Sequence, residues 1–281
     1  MHVLSIQSQV IDGHVGNGAA LLALQRQGFG AWAVPSAVLA HHAGHGPPAG
    51  RTLAAAEIDA FVDSLARRGR LRDAGAMLSG WLGSAANARA AVRAATQVKA
   101  VNPGAPWLLD PVIGDDGAGV YVDHELAQCL RGEALMKADI ITPNRFEAEW
   151  LAERKIGSLA DALAVADKLR SWGPSIVVIT SLWPEAMDSG SMATLAVAAD
   201  GAWLAVTPRL ADPPNGAGDL FAALFLARRL KGRRVKKALA FAVAGTYGVL
   251  KSSVGADELS LVAAQEELVF PGLEPKVERV R

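Results

Sequence analysis

One rhythm runs along the chain: a short apolar run of strand length, then a longer stretch with helical spacing. The runs Val3–Ile6, Ala31–Val34, Ala76–Ser79, Trp107–Leu109, Ile140-Ile141 and Ile176–Ile179 are too short to be helix cores. Between them lie helical patterns from Asn17, which reads as the cap, to Gly28, over Glu57–Arg68, over Ala85–Ala100, after Asn144 and over Leu159–Trp172. Strands that alternate with helices of this length can bury both faces of a sheet only if the sheet is mainly parallel and covered on each side. The expected class is therefore α/β. Near the end, Asp200-Gly201 between the runs Ala193–Ala198 and Trp203–Val206 reads as a hairpin turn. Two further helices are expected near Ala238–Leu250 and Glu258–Leu268. No internal repeat, low-complexity tract or linker interrupts the pattern, so a single domain over residues 1–281 is the simplest reading.

In an open α/β sheet, ligands sit beyond the carboxyl ends of the strands. Ser8, Asp110, Thr142, Asn144, Glu147, Thr180 and the turn Asn215–Asp219 all follow strands on that rim. The turn is the most informative of them. In Pro213-Pro214-Asn215-Gly216-Ala217-Gly218-Asp219-Leu220-Phe221, two glycines let the backbone bend sharply just before an apolar run of helical spacing. The exposed N–H groups and the positive end of that helix favour an anion, above all a phosphate. A carboxylate inside an anion site, Asp219, is useful where a proton must be removed, which points to phosphoryl transfer to a hydroxyl. Taken alone, the same residues also read as a glycine turn with Asp as an ordinary cap. Asp110 and Glu147 suit Mg²⁺, held directly or through water, because this hard cation prefers oxygen ligands and keeps several waters. Asn144 and Thr142 fit a helix cap equally well.

Composition narrows the classes. The 281 residues carry 28 basic and 28 acidic side chains, a formal balance of zero that argues against a nucleic-acid partner or an anionic membrane surface. The basic series from Arg228 to Lys237 falls at a helix end and the next helix start, and reads as a solvated surface. A lone cysteine, Cys129, excludes a disulfide framework and a Cys-based zinc site. Met1–Ile6 reads as a strand rather than a secretion signal, and no segment offers about 18 uninterrupted apolar residues for a membrane span. The expectation is a soluble, cytoplasmic protein. Gly13, Gly16 and Gly18 after the first strand lack the Gly-x-Gly-x-x-Gly spacing of dinucleotide binders, so hydride transfer is a poor fit.

The order of the motifs resembles the pyridoxal kinases of the ribokinase-like superfamily along nearly the whole chain. The matching pieces are Ile6-Gln7-Ser8 with Gly13-His14-Val15-Gly16-Asn17, Ser79–Ser84, Asp110–Asp115, Thr142–Glu147, Ile179-Thr180-Ser181 and Gly216–Asp219. Resemblance implies a three-layer α/β/α fold, a mobile flap at residues 41–51, a homodimer, and ATP- and Mg²⁺-dependent phosphorylation of the 5′-hydroxymethyl group of pyridoxal. It casts Asp219 as the base and Gly216, Ala217 and Gly218 as the anion hole. Asp110, Asp115, Thr142 and Glu147 resemble the ATP–metal set, and Thr180 a nucleotide-phosphate contact. Thr207, Pro208, Arg209 and Leu210 match the loop that covers the nucleotide. Ser8, His42, Ala43 and Trp81 match the pyridine-ring side of the pocket, and a monovalent cation is compatible with the pattern.

Three departures concern the substrate side. Ala43 stands where the family usually has threonine, and Trp81 where it usually has tyrosine, which removes two hydroxyls. His41, His42, Ala43, Gly44, His45 and Gly46 replace a flap that is normally polar and aromatic, and read as solvent- or substrate-facing. Leu210–Asn215 is a few residues short. Lost hydrogen bonds in a pocket shift discrimination strongly. A hydroxymethylpyrimidine-type kinase is therefore the nearest enzyme alternative, and a pyridoxal-binding carrier or sensor the non-enzymatic one.

Overall fold

The computed structural model describes residues 1–182 and 190–281. Its centre is a ten-stranded sheet assembled from β1 (His2–Val10), β2 (Gly30–Leu39), β3 (Gly50–Thr52), β4 (Ala74–Ser79) and β5 (Trp107–Leu109) in the first half. A small hairpin, β6 (Gly114–Asp115) and β7 (Gly119–Val120), stands apart from it. The second half adds β8 (Ile140–Ile141), β9 (Ile176–Leu182), β10 (Ser191–Ala198), β11 (Gly201–Pro208) and β12 (Lys276–Arg279). The order across the sheet is β12-β11-β10-β9-β8-β5-β4-β1-β2-β3. Pairings from β9 through β8, β5, β4 and β1 to β2 are parallel, while β3 and the β10–β12 edge run antiparallel.

Alternation along the strands sorts the core into two layers, as the period of two requires. Leu4, Ile6, Met77, Trp107, Leu109, Ile141, Val177 and Ile179 face one way. There they pack against α2 (Ala55–Arg67), α3 (Ala85–Val101), α4 (His124–Cys129), α5 (Arg145–Ala152) and α6 (Leu159–Arg170). Val3, Ala76, Leu78, Leu108, Ile140 and Val178 face the other way, against α1 (Asn17–Arg26), α7 (Ala217–Leu230) and α8 (Val235–Ser252). The expected three-layer α/β/α arrangement is present. Cys129 is buried in the first layer, as a small apolar residue would be.

Three local expectations fail, each for a physical reason. Glu258–Leu268 is not a helix; only Gln265–Leu268 forms a 3₁₀ turn. Leu259 and Leu261, two residues apart, are both buried against the α7 layer, a spacing no helix face offers. The Ser260 amide donates instead to Ser253 Oγ at 2.9 Å. Asn17 does not cap α1; Gly16 occupies that position, and the Asn17 side chain turns inward to donate to the Gln7 carbonyl and accept from Ser5 Oγ. Finally, Arg228 is not simply solvated, because its guanidinium lies 4.0 Å from the Phe241 ring centre.

Candidate active site

The carboxyl ends of β1, β4, β5, β8 and β9 and the start of α7 form one rim. β5 delivers Asp110, whose Oδ1 accepts from Thr142 Oγ1 at 3.0 Å just after β8. Asn144 caps α5 through a reciprocal pair: its Oδ1 accepts from the Glu147 amide, and Glu147 Oε2 accepts from the Asn144 amide, both at 2.9 Å. The other Glu147 oxygen accepts from Ile113 N–H at 2.9 Å, and Asn144 Nδ2 reaches the Gly114 carbonyl at 2.8 Å. Asn144 is thus a cap, and it also ties β6 to α5. Asn144→Ala removes the cap and that tie. It costs about 1–2 kcal/mol and lowers Tm by about 2–4 °C per kcal/mol, which thermal unfolding measures directly.

At α7 the sequence Asn215-Gly216-Ala217-Gly218-Asp219 adopts the expected turn. Gly216 takes φ +99° as N-cap, leaving the first-turn amides without helical acceptors. Glycine is required there twice over: the φ is left-handed, and a methyl group would collide with the His14 carbonyl oxygen. Asp219 sits in the first turn, and its Oδ2 accepts from the Gly16 amide at 2.7 Å. A methyl group on Gly218 would lie 3.4 Å from Asp110 Oδ2, and one on Gly80 would lie 3.2 Å from Asp219 Oδ1. Asp110, Thr142, Gly218 and Asp219 are therefore immediate neighbours, brought together from three places in the chain.

The electrostatics follow from crowding acids away from water. Burial pushes Asp219 up to about 6, against the pull of the Gly16 amide on its ionised form. Burial also raises Asp110 well above the carboxylate range, with Glu147 and then Asp219 adding repulsion and Thr142 opposing it. Glu147 rises to about 7 through burial, restrained by the amides of Ile113, Asn144 and Gly114. Desolvation raises the phenol of Tyr121, and Glu147, Asp115, Asp110 and Asp219 add to it, so this half-exposed ring borders the same cluster. Every charged neighbour that moves Asp110 is itself an acid.

The other expected residues are placed as follows. Ser8 is buried at the bulge between Gln7 and Gln9, directly under Gly16. Trp81 accepts at its carbonyl from Ser36 Oγ at 2.6 Å, and its ring lies against Gly83. His42 is half-buried, with Nδ1 accepting from the Gly44 amide at 3.0 Å, and Ala43 is exposed. Burial lowers the His42 pKa, with Glu258 opposing. Asp115 turns back to accept from the amides of Gly117 and Ala118 at 2.8 and 2.7 Å. Thr180 donates its amide to the Pro143 carbonyl at 2.9 Å beside Asn144. Thr207 and Pro208 pair with Met192 and Ser191, and the Arg209 amide donates to the Gly190 carbonyl, with Leu210 next in line. Among the described residues, no group of three or more His, Cys, Asp or Glu is arranged to hold a metal ion, the flap histidines included.

Sequence reasoning gave no role to Gly16, Gly80 or Tyr121. Gly16 and Gly80 lie inside the motifs Gly13–Asn17 and Ser79–Ser84, but their approach to Asp219 is a property of the assembled sheet edge. No local pattern marks Tyr121.

Known proteins resemble the chain along its whole length. Residues 36–261 match the phosphomethylpyrimidine kinase family. The chain is 41% identical to the pyridoxal kinase PdxY of Rubrobacter xylanophilus, over 100% of its own length and 98% of the relative's. It is 41% identical to the pyridoxal kinase PdxY of Deinococcus radiodurans, over 96% of the chain and 93% of the relative. The pyridoxal kinase of Leishmania donovani, solved in complex with ADP and pyridoxamine, superposes with a TM-score of 0.94 at 28% identity, covering 100% and 99% of the two chains. With sequence kinship along its full length and a ribokinase-like sheet carrying its acids on one rim, the chain belongs to the pyridoxal kinases.

Proposed function

We propose that this chain transfers the γ-phosphoryl group of ATP to the 5′-hydroxymethyl oxygen of pyridoxal, and of its close vitamin B6 relatives. One observation carries the reading: a carboxylate raised to about 6, fixed by the Gly16 amide, sits in the first turn of a helix that opens on Gly216-Ala217-Gly218. Asp219 takes the hydroxyl proton as the 5′ oxygen bonds to phosphorus and the bond to ADP breaks. The first-turn amides of Gly216, Ala217 and Gly218 offset charge on the transferring group's oxygens without reorganising, which is most of what phosphoryl transfer asks of a protein.

The donor side follows the same logic. Asp110, Asp115, Thr142, Glu147 and Thr180 border the phosphates, and Thr207-Pro208-Arg209-Leu210 covers the nucleotide. The buried acids suit a cation, since the charged neighbours of Asp110 are themselves acidic. Asp110 keeps Oδ2 towards Gly218. Both Glu147 oxygens already accept backbone N–H bonds, so Glu147 would act on Mg²⁺ through water. The metal would neutralise charge between the phosphates. Ser8, His42, Ala43 and Trp81 line the ring side, where Trp81 offers an aromatic face without a hydroxyl. A monovalent cation, a homodimer, a single domain over 1–281 and a cytoplasmic location complete the proposal. Continuity of one sheet from β3 to β12 supports the single domain. No helix of the described residues is long and apolar enough to cross a membrane.

A coupled ATPase assay across pyridoxal, pyridoxine, pyridoxamine and hydroxymethylpyrimidine tests the reading. Pyridoxal is expected to give the highest kcat/KM. A higher value with hydroxymethylpyrimidine would move the chain to the alternative substrate. Binding of pyridoxal without turnover of any of the four would make it a carrier or sensor.

A further inference from the structure

We propose that Glu258 is a positioning residue that couples the flap over the ring pocket to the loop that orients Asp219. Glu258 lies beyond α8, far in sequence from every expected site residue. Its Oε1 meets His45 Nε2 of the flap at 3.0 Å, and its Oε2 accepts from the His14 amide at 3.2 Å. One carboxylate thus bridges the loop after β1 and the flap after β2, beyond the point where the Ile11 and Asp12 amides donate to the Leu39 and Ala40 carbonyls. A methyl group on Gly13 would collide with that carboxylate, so the loop is packed against it as well as bonded to it.

What the His14 loop does next makes the contact more than a surface pair. Two residues on, the Gly16 amide donates to Asp219 Oδ2, and the His14 carbonyl oxygen is the atom that crowds Gly216. The residue after Glu258, Leu259, is 2% exposed, and its Cδ1 would lie 2.9 Å from a methyl group on Gly216. The flap returns to the same place: a methyl group on Gly44 would lie 3.1 Å from Asn215 Nδ2, in the turn before the anion cup. His45 and Glu258 side chains are 37% and 27% exposed, so the pair contributes little to stability in itself. Its effect is geometric. Displacing a reacting group by about 1 Å costs on the order of 10²-fold in rate.

The proposal rests on Asp219 as the base, and three variants test the two ideas apart. His45→Ala frees only the flap, and is expected to raise KM for pyridoxal about fivefold with kcat within about twofold. Glu258→Ala frees both loops, and is expected to raise KM as much and to lower kcat by about tenfold or more. Glu258→Gln, which keeps an acceptor for the His14 amide, restores kcat to within about threefold of the parent. Amide hydrogen exchange reads the link without turnover: Glu258→Ala speeds exchange in both 13–16 and 42–46, His45→Ala in 42–46 alone. Equal kcat for Glu258→Ala and the parent, or a Glu258→Ala chain that exchanges like His45→Ala, overturns the coupling. Should Glu258→Ala not fold, faster flap exchange in Glu258→Gln with unchanged 13–16 supports it, and unchanged exchange in both segments overturns it. If the parent chain phosphorylates none of the vitamers, the kinase reading falls while the exchange comparison still decides the link.

Discussion

Asp219→Asn lowers the single-turnover rate of phosphoryl transfer by about 10²- to 10⁴-fold, the usual worth of general-base help. Binding of ATP and of vitamer is expected to stay within about threefold, because asparagine keeps an oxygen to accept the Gly16 amide. A loss smaller than about tenfold removes Asp219 from the role of base. The parent enzyme carries the same signature in its pH profile. With the carboxyl pushed up to about 6, kcat/KM falls as pH drops below about 6 and Asp219 takes up a proton. Stability runs the other way. The folded chain holds this proton up to about pH 6, whereas the unfolded chain releases it near ~4. The contribution is therefore complete below about pH 4 and is lost as pH rises through 6. Asp219→Asn should accordingly match or exceed the parent's Tm at pH 8 while being nearly inactive. An acidic limb unchanged in position, or a large loss of Tm at pH 8, would contradict this account.

Gly216→Ala is expected to cost about 10² to 10³ in kcat, the range for losing one donor of an anion-stabilising set. The residue holds φ +99°, which an L side chain rarely adopts, and its added methyl would meet the His14 carbonyl on one side and Leu259 on the other. Neither neighbour yields easily, since His14 belongs to the loop that fixes Asp219 and Leu259 is core. Relief comes only by shifting the first turn of α7, which carries the amides. Gly104→Ala supplies the control: nothing lies within 4 Å of the added methyl, so rate and Tm should both be unchanged. Retention of more than about a tenth of kcat in Gly216→Ala would mean the amides do not face the transferring group.

The parts of the site legible in sequence were those with local causes. A glycine pair before an apolar helical run announces exposed amides, because only backbone chemistry is involved. Asp110, Thr142 and Glu147 follow short β-branched or apolar strands, and a strand's carboxyl end is where a parallel sheet presents ligands. The same reasoning overreached at Asn17, a residue type that favours caps, because a buried polar network with Ser5 and Gln7 claimed its side chain. It overreached again at Glu258–Leu268, where acidic and apolar residues mimic a helix but Leu259 and Leu261 both had to be buried. Gly16 as the donor to Asp219 was out of reach, since 203 residues separate the two. Specificity is the least legible property, because it depends on what stands in for hydroxyls absent at Ala43 and Trp81.

The bond from the His14 amide to Glu258 spans 244 residues, and Leu259 beside it braces the phosphate turn. Contacts between such distant partners carry a larger loop-closure entropy than local ones. The amide cup is therefore walled only when the segment around residue 259 sits against the turn that opens α7. Cutting or loosening that distal segment is thus expected to impair the chemistry without touching any residue that meets the substrate.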